Sequence, residues 1–141
     1  MQQILRRIAP YTLYIAFFQA LIAMCSSLFL SLVLHFTPCT LCWYQRILMY
    51  PLVWILAAGI IQKNKKIYFY VLPLSVLGII IALYHSLLQW GIIPEAITVC
   101  TAGVSCATKN IDFFGFITIP FLSLTAFAII SLSLFLYKKY V

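Results

Sequence analysis

Four apolar stretches, each long enough to cross a bilayer as a helix, take up most of this chain of 141 residues and leave it few ways to fold. They run over about residues 11–36, 43–61, 67–89 and 117–137. A hydrocarbon core of roughly 30 Å needs about 20 apolar residues in helical form. Lipid offers the backbone no hydrogen-bond partner, so a helix, which satisfies its own amides, is the state each stretch must take. Residues are 65% hydrophobic and 8% charged, which excludes an ordinary soluble domain. The expectation is an all-α integral membrane protein, a four-transmembrane-helix bundle forming one domain over residues 1–141. Its outer loops are expected at about residues 37–42 and 90–116, with no room for a soluble module. No internal repeat, low-complexity tract or flexible linker interrupts it.

The formal charge of +7 is placed asymmetrically. Arg6 and Arg7 precede the first stretch, Lys63, Lys65 and Lys66 fill the second connection, and Lys138 and Lys139 follow the last. In a four-span chain these all fall on one side, and only Arg46 and Lys109 fall on the other. Cytoplasmic connections collect Lys and Arg, so both termini are expected in the cytoplasm and both cysteine-bearing loops outside. The basic charge is thus an orientation signal, and nucleic acid is not an expected partner; the lipid bilayer is. A basic start before an apolar run also resembles a secretory signal. This run is far longer than a signal's apolar core and no small-residue cleavage site closes it, so a retained first span is expected.

Outside placement gives the cysteines their meaning. Cys39-Thr40-Leu41-Cys42 stands at the lip of the second stretch, and Cys100 and Cys106 lie in the longest polar segment. Extracytoplasmic thiols meet an oxidising compartment. Spacing and placement leave three readings open: redox chemistry, structural bridges, or a metal site. Bridges would close very short rings, worth only roughly 1–3 kcal/mol each. Zinc could take four cysteines, but the second spacing is loose and neither loop carries a His. Haem attachment fails because Trp43 stands where a His must follow Cys-x-x-Cys.

The surroundings of the first pair favour redox work. Pro38 fixes the chain ahead of Cys39, and Cys42 falls at the start of the second helix, near the positive end of its dipole. Arg46, four residues on, can lie over the Cys42 sulfur. Both effects stabilise the reactive thiolate. The plain alternative for Arg46 is snorkelling to the headgroups.

Pro38-Cys39-Thr40-Leu41-Cys42-Trp43-Tyr44-Gln45-Arg46 resembles the first extracytoplasmic loop of the DsbB family of bacterial disulfide-generating membrane proteins, including its BdbC branch. The likeness continues in Tyr84-His85-Ser86-Leu87-Leu88-Gln89, and returns in Cys106, Asp112-Phe113, Gly115 and Pro120. Only five residues separate Cys100 from Cys106, a short form that looks like the BdbC type. What the resemblance implies is a relay in which a reduced extracytoplasmic thioredoxin-fold partner, DsbA- or BdbD-like, attacks the Cys100–Cys106 disulfide. Cys106 then attacks Cys39, Cys42 is released, and electrons pass to the membrane quinone pool, menaquinone being favoured. The implied catalytic residues are Cys39, Cys42, Cys100, Cys106 and Arg46; the quinone-binding ones are Cys42, Arg46 and His85; no metal is expected. The implied place is the bacterial plasma membrane, with the active site on its extracytoplasmic face.

Two other functions fit the same elements. A vitamin K epoxide reductase-like enzyme shares the four-helix dithiol plan, but there the loop cysteines precede the Cys-x-x-Cys. A non-enzymatic scaffold with loop disulfides gives no reason for Arg46 behind the dithiol. Cys25, mid-span, reads as a small buried hydrophobe, His35 as an interfacial polar residue, and Trp43, Tyr44, Trp90, Phe113, Phe114 and Phe116 as an aromatic belt.

Overall fold

A computed structural model of the chain describes residues 1–94 and 117–141, and these hold four α-helices. They are α1 (Gln2–Leu32), α2 (Thr40–Ile61), α3 (Tyr68–Gln89) and α4 (Ile119–Tyr140). All four are long and apolar enough to cross a membrane. Each packs on its neighbours in chain order and α4 closes back on α1, which gives a four-helix transmembrane bundle. Cys100, Cys106, Lys109 and Asp112 lie outside the described residues.

The helix ends depart from the apolar stretches where capping chemistry takes over from hydropathy, and α1 stops at Leu32, short of residue 36. α1 starts at Gln2 because Gln and Arg are good helix formers, and it carries Pro10 within it. α2 starts at Thr40, ahead of the apolar run, because Cys39 takes the extended backbone of an N-cap at φ −74° and ψ 173°. α4 starts after Thr118, also extended, with Pro120 in its first turn, where a missing N–H costs nothing. α3 ends in a Schellman motif: Ile92 N–H bonds the Leu87 carbonyl at 3.1 Å and Gly91 N–H that of Leu88 at 3.2 Å. Gly91 supplies the left-handed φ of 76° that this cap requires.

The bundle is greasier outside than in. Phe18, Phe29, Trp54, Phe69, Leu132 and Phe135 are all more than half exposed, as side chains facing acyl tails should be. Association in lipid rests on close packing and interhelical hydrogen bonds. Ala9, Ala16 and Ala20 form the buried stripe of α1. Gly78 of α3 leaves the space that the fully buried Phe127 ring of α4 fills. Nearby, the Ser131 hydroxyl donates to Ser75 Oγ at 2.9 Å, tying α4 to α3.

Pro10, Gly59, Lys63, Lys65, Tyr137 and Val141 surround one crevice, so both chain ends and the α2–α3 connection share one end of the bundle. The dithiol is at the other.

Candidate active site

The turn between α1 and α2 sets the dithiol in place. Val33 and Leu34 N–H both fall back on the Phe29 carbonyl, at 3.0 and 3.3 Å. His35 then takes a left-handed φ of 53°, which ends the helix. His35, expected as an interfacial polar residue, is therefore the turn residue that ends α1. Pro38 keeps Thr37 out of helical backbone, and the chain reaches Cys39 extended. The Cys39 sulfur thus sits just before α2 and that of Cys42 in its first turn, where amides lack intrahelical acceptors. The two sulfurs are 3.3 Å apart, a reduced pair in hydrogen-bond contact.

His85 of α3 closes over this pair from the bundle interior. It is fully buried, with Nε2 3.6 Å from Cys39 Sγ and Nδ1 3.0 Å from the side-chain nitrogen of Gln45 on α2. A Gln45 amide that donates to Nδ1 leaves the ring proton on Nε2, directed at sulfur. The Cys39 thiol is accordingly held well below the ordinary thiol range: the hydrogen bond with Cys42 is the largest cause, burial opposes it, and His85 adds to the fall. A stabilised thiolate makes a dithiol pair a readier electron acceptor.

Arg46 lies one turn beyond Cys42. Its guanidinium stands 5.4 Å from the Trp43 ring centroid and donates to the Ser27 carbonyl at 3.1 Å and to the Ser31 hydroxyl, both on α1. These bonds hold the cation inside the bundle, in place of a free reach to the headgroups.

Cys42 and Arg46 share a cavity of about 300 Å³ walled by α1, α2 and the start of α4. Tyr50, a further turn along, completes a stripe of one residue per turn down its wall. The Tyr50 hydroxyl is buried and has no hydrogen-bond partner among the described residues, a cost of about 1–3 kcal/mol that a polar ligand atom would remove. Ile22 and Leu122, both in the wall, are more than half exposed, so the cavity opens sideways at the bundle surface.

Cys39, Cys42, Arg46 and His85, expected as site residues from the sequence, converge here; Cys100 and Cys106 fall outside the described residues. His85 stands behind Cys39, and the cavity wall does not include it. Gln45, Tyr50, Ser27 and Ser31 were not read as site residues. Gln45 carried a usable signal, since an amide inside an apolar span requires a partner. Cys25, expected to be buried, is exposed on the outer face of α1, where lipid replaces protein as its apolar surrounding. Trp43 and Tyr44 are about half exposed beside the dithiol, and Trp90 packs on Phe121 with centroids 5.9 Å apart.

No solved structure matches the chain. Among curated proteins it is 47% identical to disulfide bond formation protein C of Bacillus subtilis (strain 168) over 126 residues, 89% of this chain and 91% of that one. It is 44% identical to the SPbeta prophage-derived disulfide bond formation protein B of the same organism over 115 residues, 81% of this chain and 76% of the other. Probable disulfide formation protein C 1 of Bacillus anthracis is 40% identical over 129 residues, covering 92% and 93%. Residues 9–137 match the family described as disulfide bond formation protein DsbB. With its dithiol at the end of a four-helix membrane bundle, the chain belongs to the DsbB family.

Proposed function

We propose that this chain is a thiol:quinone oxidoreductase that generates disulfides by reoxidising an extracytoplasmic thioredoxin-fold partner of the DsbA or BdbD kind. The names of its relatives support the disulfide-forming half of this reading. The observation that carries the other half is the cavity: Cys42 opens onto it, Arg46 supplies a fixed cation in its wall, and Tyr50 offers an unused hydroxyl. At about 300 Å³ it is the size of a small ligand pocket. A quinone, when bound, supplies an acceptor for two electrons and two protons. Arg46 and Tyr50 would hold its oxygens, and menaquinone is the favoured form.

In this reading the partner's thiolate attacks Cys100, Cys106 leaves, and Cys106 attacks Cys39 of the oxidised inner pair. Cys42 departs as a thiolate into the cavity, where Arg46 faces the charge in poorly solvated surroundings. The partner's second thiol then releases Cys100 and closes the partner's disulfide, and Cys100 attacks Cys106 to re-form the outer disulfide and free Cys39. The inner pair, now reduced, gives up two electrons and closes its disulfide again. Overall the partner loses two electrons and two protons and gains one disulfide. His85 acts through Cys39: its Nε2–H steadies that sulfur whenever it is released as thiolate. The crowding of Lys and Arg at the far end of the bundle supports cytoplasmic termini, hence an extracytoplasmic active site in the bacterial plasma membrane.

The test is quinone reduction by the purified protein in detergent, given a reduced thioredoxin-fold dithiol protein, with Cys42→Ala alongside. Quinone loss matched by partner disulfide, and absent in the variant, supports the relay. No transfer to any of several quinones by folded protein returns the chain to the scaffold reading.

A further inference from the structure

The reduced inner pair gathers three metal-ligating atoms: Cys39 Sγ, Cys42 Sγ and a ring nitrogen of His85, all within 4.8 Å of one another. The sulfurs are 3.3 Å apart and Cys39 Sγ is 3.6 Å from His85 Nε2. Metal–sulfur bonds of about 2.3 Å and metal–nitrogen bonds of about 2.0 Å give tetrahedral edges of about 3.8 Å and 3.5 Å. Seating an ion then takes a spreading of the sulfurs by about 0.5 Å, with Cys42 Sγ and the His85 nitrogen, within 4.8 Å of each other, brought to the same edge of about 3.5 Å. The dithiol segment itself, Cys39 to Cys42, offers no histidine; the third ligand comes from α3, brought over by the fold.

Gln45 supplies what a ligating imidazole needs behind it. Ligation requires a bare Nε2 and a proton on Nδ1. A half-turn of the Gln45 amide presents its oxygen to that proton, holding the ring in the ligating orientation. Two thiolates and an imidazole select a borderline-to-soft, four-coordinate cation over calcium or magnesium, which take oxygen ligands.

We propose that the reduced chain binds one thiophilic cation, zinc or its like, through Cys39, Cys42 and His85, with the fourth position open to the cavity beside Cys42. Two metal–thiolate bonds and one metal–imidazole bond form, any proton still on the sulfurs is released, and no oxidation state changes. The oxidised pair, whose sulfurs are bonded to each other, has no such site. An occupied site holds both sulfurs and stops electron flow, so the ion is a redox-gated inhibitor. The inference stands whether or not a quinone is the acceptor.

The experiment is a titration of the purified, phosphine-reduced protein in detergent with cobalt(II), followed by zinc competition. Turnover of the parent protein is measured before reduction and metal addition, and helix content of each cysteine variant, so that an inactive or unfolded preparation is recognised separately. Expected are a sulfur-to-cobalt charge-transfer band that saturates at one ion per chain, displacement by zinc, and no band in the oxidised protein. Cys39→Ser or Cys42→Ser abolishes the band. His85→Gln and Gln45→Ala, checked for retained helix content, each weaken binding by at least about tenfold. The double variant Cys100→Ser/Cys106→Ser still binds. No band in folded reduced protein, an affinity unchanged by His85→Gln, or a band lost only in the Cys100→Ser/Cys106→Ser protein overturns the proposal.

Discussion

The side-chain nitrogen of Gln45 lies 3.0 Å from Nδ1 of His85, and this contact points the opposite ring nitrogen at Cys39. α2 therefore carries both the thiol and the group that orients the imidazole against it. The chemistry of Cys39 depends on the register of α2 against α3, so residues far down either helix can alter it.

Gln45→Leu removes the amide that meets Nδ1 of the fully buried His85 and is expected to lower stability by about 1–3 kcal/mol. It should also make the inner pair a poorer electron acceptor, by about 30 mV for each tenfold loss of thiolate stabilisation. Equilibration of the protein lacking Cys100 and Cys106 in graded thiol–disulfide buffers, read by thiol trapping, measures the potential. An unchanged potential would detach His85 from Cys39.

Arg46 spans two acceptors on α1, the Ser27 carbonyl and the Ser31 hydroxyl, which suits a forked guanidinium and not an ammonium. Arg46→Lys keeps the charge yet should raise the quinone needed for half-maximal turnover by about tenfold, the equivalent of a lost charged hydrogen bond. Ser31→Ala should move the same quantity in the same direction by less. Steady-state turnover against quinone concentration decides it; parity of Arg46→Lys with the parent would leave only charge as the requirement.

Tyr50→Phe separates folding from ligand binding, because the hydroxyl has no hydrogen bond to lose among the described residues. Without ligand the variant should be as stable as the parent, or about 1 kcal/mol more so. It should bind quinone several-fold more weakly, as read by the shift in thermal unfolding that added quinone produces. Equal shifts in the two proteins would remove Tyr50 from the site.

Two glycines give opposite kinds of damage. Gly78→Ala drives a methyl into the buried Phe127 ring and should cost about 1–3 kcal/mol by overpacking. Gly91→Ala meets open space, and its expected cost of about 1–2 kcal/mol comes from the left-handed backbone alone. Replacing Gly91 with Asn should recover part of that loss, whereas no small polar residue should rescue position 78. Unfolding in mixed detergent tests both.

Cys25→Ala should leave stability and turnover unchanged, since this thiol faces outward from α1, away from the dithiol. Loss of activity in a folded Cys25→Ala protein would rewire the relay.

The helices were legible because lipid imposes their length and composition, and the dithiol, Arg46 and His85 because thiols, a cation and an imidazole are conspicuous in apolar sequence. What hydropathy misses is chemistry at helix ends. Cys39 as the N-cap of α2 and His35 as the turn that ends α1 follow from backbone conformation, which hydrophobic residues on either side do not report. The partners of Arg46 were out of reach for a different reason. Ser27 and Ser31 are ordinary helix residues until α1 is laid beside α2, and Tyr50 reads as one more aromatic until its hydroxyl is seen to be unpartnered. The second cysteine pair is visible in the sequence, and its spatial relation to the first lies beyond the described residues.

The sideways opening of the cavity past Ile22 and Leu122 has a kinetic consequence. A reactant that enters there is dissolved in the membrane, and its effective concentration is a mole fraction of lipid rather than a molarity in water. Apparent half-saturation in an assay will therefore scale with the amount of detergent or lipid present. Two laboratories using the same protein and the same quinone will agree only after dividing by the volume of the apolar phase.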